Sequence, residues 1–132
     1  MISSRSQPPS LLSRTHPFIT LHASNVDGPR TRHRLVWRGG PVPDWLTAYA
    51  PYGGLGQSLI VVTMGRARLG SSTRIQSVVV YPARPEGPEM AYVYVEETQL
   101  KTALSRNGHP IHVVRCAPLP KEVRFVEVTP AR

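Results

Sequence analysis

The sequence predicts a mainly β domain of the α+β class. Five to seven antiparallel strands would close into a small barrel or stack as a sandwich, with one packing helix near 96–106. Three observations carry this expectation. Val, Ile, Thr and Tyr dominate several short runs, the composition that strands favour. Fourteen prolines and ten glycines cut the chain into turns and extended pieces. Hydrophobic residues make up 40% of 132, enough for one domain with its own core. No run approaches the roughly 18 apolar residues of a membrane-crossing helix.

Residues 1–16 (MISSRSQPPSLLSRTH) read as an extended basic arm rich in Pro and Ser, ahead of a single β-rich domain over 17–132. The arm carries two arginines and no acid, a composition shared with organelle transit peptides, although Pro8-Pro9 opposes the amphipathic helix such peptides need. It lacks the apolar core of a secretory signal, so the expectation is a soluble protein, cytoplasmic or held within a particle. Residues 18–23 (FITLHA) form a short strand candidate, and Asn25-Val26-Asp27-Gly28-Pro29 is turn chemistry. In 30–38 (RTRHRLVWR) alternation puts Leu35 and Trp37 on one face and Arg34, Val36 and Arg38 on the other. Trp37 reads as a core anchor. Asp44 is placed to cap a short helix through Tyr49. The following glycines lack a Gly-Lys-Ser/Thr ending, so no nucleotide loop is implied.

The stretch 58–97 organises the chain. Runs 59–69, 73–81 and 90–97 suggest a three-stranded meander with turns at Gly70-Ser71-Ser72 and in the proline-rich 82–89. Pairing Leu69 with Thr73 sets Arg68 beside Arg74, Met64 beside Val78 and Val62 beside Val80. Pairing Val79 with Val93 sets Val80 beside Tyr92 and Val78 beside Tyr94. One sheet face would then carry an arginine tip (Arg66, Arg68, Arg74) and an apolar base that includes Met64, Val80, Tyr92 and Tyr94. The tip is a candidate anion site and the base a candidate protein interface. Gly65 is a possible bulge position. Residues 96–106 (EETQLKTALSR) have acids first, Arg106 last and Asn107-Gly108 as a stop, which predicts the packing helix. Strands over 111–116 and 123–128 complete the chain. From 59 onward the order is strand, strand, strand, helix, strand, strand. That order is similar to an oligonucleotide-binding (OB) five-stranded barrel, a likeness of topology over 58–128 that rests on no residue motif.

The net charge of +8 lies wholly in residues 1–85, where ten arginines face only Asp27 and Asp44. Residues 86–132 are balanced. Such asymmetry points to an acidic partner, nucleic acid or an acidic protein surface. Arg30, Arg32, Arg34 and Arg38 join Arg66, Arg68 and Arg74 as candidate phosphate contacts. The single Cys116 excludes an internal disulfide and a four-cysteine zinc site. His109 and His112 sit at an odd spacing, which sends them to opposite strand faces and argues against a shared metal. His112 and Cys116 would share a strand face about 13 Å apart at ~3.3 Å per residue, beyond nucleophile–base reach. No catalytic set and no cofactor are expected. The sequence therefore suggests a non-enzymatic binding subunit of a larger assembly. The alternatives are a virus or phage structural protein held by protein contacts, with other copies of itself among its candidate partners, and a small metal-free hydrolase or nuclease built on His109 and His112.

Overall fold

The computed structural model describes residues 13–53, 56–100 and 106–129. The strands are β1 (Arg14–Thr15), β2 (Phe18–Ser24), β3 (Arg32–Trp37), β4 (Ser58–Met64), β5 (Ala67–Arg68), β6 (Ser72–Tyr81), β7 (Met90–Thr98), β8 (Asn107–Gly108), β9 (Ile111–Cys116) and β10 (Glu122–Val128). They form a first sheet in the order β1-β6-β7-β10, a second in the order β2-β9-β4-β3, and a two-stranded clasp of β5 with β8. Every pairing is antiparallel except β7 with β10, which run parallel.

The mainly β expectation is met. The OB-like order is corrected, because the strands divide into two open sheets and the last strand lies parallel to β7. The helix over 96–106 is also corrected. Glu96, Glu97 and Thr98 extend β7, and Asn107 already belongs to β8. Residues 101–105 of that stretch lie outside the described residues. Residues Glu96–Thr98 pair with the start of β6, and those ladder bonds outweigh the weak helix preference of so short a segment. The helix expected from Asp44 is replaced by two 3-10 turns, Asp44–Leu46 and Ala50–Tyr52, and the Asp44 side chain caps neither.

The core lies between the sheets. Ile75, Val78 and Val80 of β6 and Ala91, Val93 and Val95 of β7 meet Ile60 and Val62 of β4 and Val114 and Cys116 of β9. Phe18, Val36, Val123 and Phe125 close its margins. The second sheet is covered on its outer side too: Leu46, Val42, Trp45 and Tyr49 of the 38–57 connector pack on Val61, Ile111, Val113, Leu35 and Trp37. Strand β4 is therefore buried on both faces, which is why its sequence reads SLIVVTM without alternation.

That missing alternation explains the largest register error. The expected 59–69/73–81 hairpin does not form. Strand β4 pairs with β3 and β9, and Gly65 (φ 72°) ends it by turning against the backbone of Arg30, Thr31 and Arg32. The chain then crosses to the first sheet through β5. The β6–β7 hairpin does form, one residue from the expected register: Val78 faces Val93, Val79 faces Tyr92 and Ser77 faces Tyr94, with a bulge at Gln76. A one-residue shift exchanges faces. Val78 and Val80 turn into the core, and Tyr92 and Tyr94 turn outward.

The end of the expected arm lies within the sandwich. Arg14 and Thr15 pair with Val80 and Val79, and the His16 amide donates to the Val78 carbonyl at 2.8 Å. Residues 1–12 lie outside the described residues. Among the described residues no helix is long and apolar enough to cross a membrane.

Candidate functional site

The seven arginines singled out from the sequence separate into two groups. Arg32 and Arg34 share the inward side of β3, an edge strand, with Val36, and Arg38 follows the strand. Arg32 and Arg34 reach across to the first sheet. Arg32 donates to Glu97 at 2.8 Å, and both Arg32 and Arg34 approach Glu127 of β10, at 3.5 and 3.2 Å. Arg34 also approaches the second Glu97 oxygen at 3.5 Å. Arg38 donates to the carbonyls of Leu119 and Pro120 at 2.8 and 2.7 Å. The Glu97 side chain is only 9% exposed. Arg32 and Arg34 therefore tie the two sheets together through Glu97 and Glu127, and Arg38 fastens the β9–β10 connection. Arg34 Nε is buried without a partner, so that guanidinium is held by Coulomb attraction more than by full hydrogen bonding.

The second group gathers at the clasp end of the sandwich. Pairing of Arg68 with Asn107 joins two segments 39 positions apart, and the Leu69 amide donates to the Arg106 carbonyl at 3.1 Å. Packing of Gly65 on the Arg30 carbonyl brings the 25–31 turn alongside, and the Gly28 amide donates to His109 O at 2.7 Å. Asn107 lies with its side-chain oxygen toward Arg66, accepting from Nε and Nη2 at 3.0 Å. Arg74, third in β6, lies beside Asn25 of the 25–31 turn and is exposed. Thus Arg30, Arg66, Arg68, Arg74 and Arg106 arrive from four separate stretches of chain. The acids at this end are mostly engaged. Asp27 accepts from His22 at 2.8 and 3.0 Å, and that bond first, then Ser24, holds its carboxyl below the ordinary range against the opposing effect of burial. Glu97 serves Arg32 and Arg34. Glu96 lies opposite Arg74 in the ladder. Arg106 was not singled out from the sequence. Its signal was Asn107-Gly108, which reads as a helix stop but in the fold is the strand that places it.

The expected apolar base does not assemble. Val80 is fully buried and Met64 lies in the other sheet opposite Arg32. Tyr92 and Tyr94 do face outward, joined there by Tyr81: Tyr81 and Tyr92 meet edge-on at 5.5 Å, and Tyr92 and Tyr94 stack at 6.4 Å. Partial burial, then the neighbouring Tyr81, pushes the Tyr94 phenol up.

His112 is a core residue, 2% exposed. Its Nδ1 accepts from the Ile75 amide at 2.9 Å, beside the Gln76 bulge. The proton therefore sits on Nε2, which donates to Thr20 Oγ1 at 2.8 Å. Burial first, and then the charge of Arg74, lowers its pKa to about 4. The imidazole is neutral and has no ring nitrogen to spare for acid–base work. Cys116 is buried, and burial raises its thiol to about 11 against the opposing pull of Arg38. Among the described residues no three His, Cys, Asp or Glu side chains converge on a metal-sized site.

No family model, no curated protein and no solved structure matches this chain.

Proposed function

We propose that this protein is a non-enzymatic binding subunit of a larger assembly, and that it meets a nucleic acid with the clasp end of its sandwich. The observation that carries this reading is the convergence of Arg30, Arg66, Arg68, Arg74 and Arg106 at one end, with Asp27 and Glu97 already engaged by internal partners. A cluster of guanidiniums on turns suits phosphate contacts, which position a polyanion without reading its sequence. Arg32, Arg34 and Arg38 belong to the scaffold in this reading.

The test is affinity for a generic duplex across a salt series, with an Arg66→Ala, Arg68→Ala, Arg74→Ala variant alongside. Each phosphate neutralised contributes about 0.9 to the slope of log affinity against log salt. The wild type is expected to bind steeply, and the variant with a slope lower by about 2 to 3. Absence of binding at low salt would end the nucleic-acid reading. An unchanged slope would move the contact away from these three residues.

A second reading, a virion or particle subunit held by protein contacts, is favoured by the outward, half-buried tyrosines of the first sheet, since aromatic side chains are enriched at protein interfaces. It predicts association that survives high salt.

A further inference from the structure

The outer face of the first sheet holds a groove of about 500 Å³ that the polyanion reading does not use. Its floor is Tyr81, Tyr92 and Met90, and its wall is the β6–β7 connection with Pro82, Arg84 and Pro88. We propose that this groove binds an extended, proline-bearing segment of a partner protein in polyproline II conformation. Four features lead there. The volume falls in the range of preformed ligand sites. The wall is tied down: Arg84 and Gly87 exchange backbone hydrogen bonds at 2.8 and 3.1 Å, so the groove exists without its occupant. The Tyr81 and Tyr92 rings meet at 81°, forming a notch with flat apolar sides that accept a pyrrolidine ring. A polyproline II segment has no internal hydrogen bonds, so its carbonyls are free to accept from tyrosine hydroxyls.

Charge decides against a polyanion in this groove. Arg84 lies 3.9 Å from Glu86, and Arg14 lies 3.7 Å from Glu89 beside it. Each cation at the rim has its own acid, so the groove complements an uncharged chain. This site stands apart from the clasp end, and the two proposals can fail separately.

The probe is a blocked oligoproline of about nine residues, three turns of the helix. A blocked Gly/Ser peptide of equal length serves as the control. Binding is read on the Met90 methyl signal, one of only three methionines in the chain. The oligoproline is expected to shift it saturably, with little change in 1 M salt, and the Gly/Ser peptide is not. Tyr92→Ala is expected to weaken binding about ten-fold or more, as loss of a central aromatic anchor does. Tyr81→Ala, which removes the other side of the notch, gives a second reading should the first variant unfold. Equal shifts with both peptides, no saturation, or full affinity in both folded variants would overturn the proposal. So would a variant lacking 1–12 whose Met90 signal moves without peptide, since the chain's own Pro8-Pro9 segment would then be the occupant.

Discussion

Acid should weaken this fold through one residue. His112 has an ordinary pKa of 6.5 and a folded value of about 4, because burial disfavours the imidazolium. A depressed folded pKa on a histidine means that the unfolded chain binds the extra proton. Stability from this group is therefore complete above pH 6.5 and is lost as the pH falls from 6.5 toward 4. The full difference corresponds to about 3 kcal/mol at 1.36 kcal/mol per pH unit, of which roughly 2.5 is already lost at pH 4.5. That is a large share of the 5–15 kcal/mol typical of a domain. The assay is urea unfolding at steps from pH 7.5 to 4.5 for the wild type and for His112→Asn, whose amide oxygen can take over acceptance from Ile75 N–H. The variant starts lower, because the Thr20 bond and part of the ring's packing are gone, but it should show about 2.5 kcal/mol less acid loss. Parallel pH profiles for the two proteins would refute the reasoning, since the acid sensitivity would then belong to carboxylates such as Asp27. His112→Ala should cost about 4 kcal/mol at pH 7.5, combining a buried cavity with an unpaired Ile75 amide.

Three further outcomes follow from the packing. Glu97→Ala leaves Arg32 and Arg34, neighbours on one side of β3, with only the exposed Glu127 across the sheet seam and should lower unfolding free energy by about 3 kcal/mol in urea melts. Gly65→Ala places a Cβ 3.0 Å from the Arg30 carbonyl at a φ of 72°, so a loss of about 2 kcal/mol or more is expected in thermal melts, and an unchanged melting temperature would contradict the described turn. Cys116 should resist a thiol reagent at pH 8 in the native protein and react fully in denaturant, because its thiol is both buried and kept protonated.

The β class was legible because it depends on local chemistry. Runs such as EVRFVEV and IHVVRC declare themselves by β-branched content and flanking turns, and both are strands. Sheet membership was not legible. In SLIVVTM every residue is apolar or small, so nothing in the pattern distinguishes pairing with β6 from pairing with β3 and β9. In Val78-Val79-Val80 three like residues leave the register free, and the Gln76 bulge settled it. The candidate site was legible in part. The arginine tip was read from a 59–69/73–81 hairpin that does not form, so Arg68 pairs with Asn107 and Arg74 with Glu96, while Tyr92 and Tyr94 point outward without Val80 or Met64.

By itself the sequence determined a β-rich chain, its turns, most strand positions and an arginine excess confined to its first two-thirds, since each of these is a matter of residue type and short spacing. Only the tertiary structure decided what the arginines do. Arg32, Arg34 and Arg38 are engaged by Glu97, Glu127 and two carbonyls and Arg66 by Asn107, whereas Arg30, Arg74 and Arg106 are exposed. The physical reason is that a guanidinium's partner is set by which strands lie across from it. That choice belongs to long-range pairing, and its carriers here are a glycine at φ 72° and a two-residue clasp.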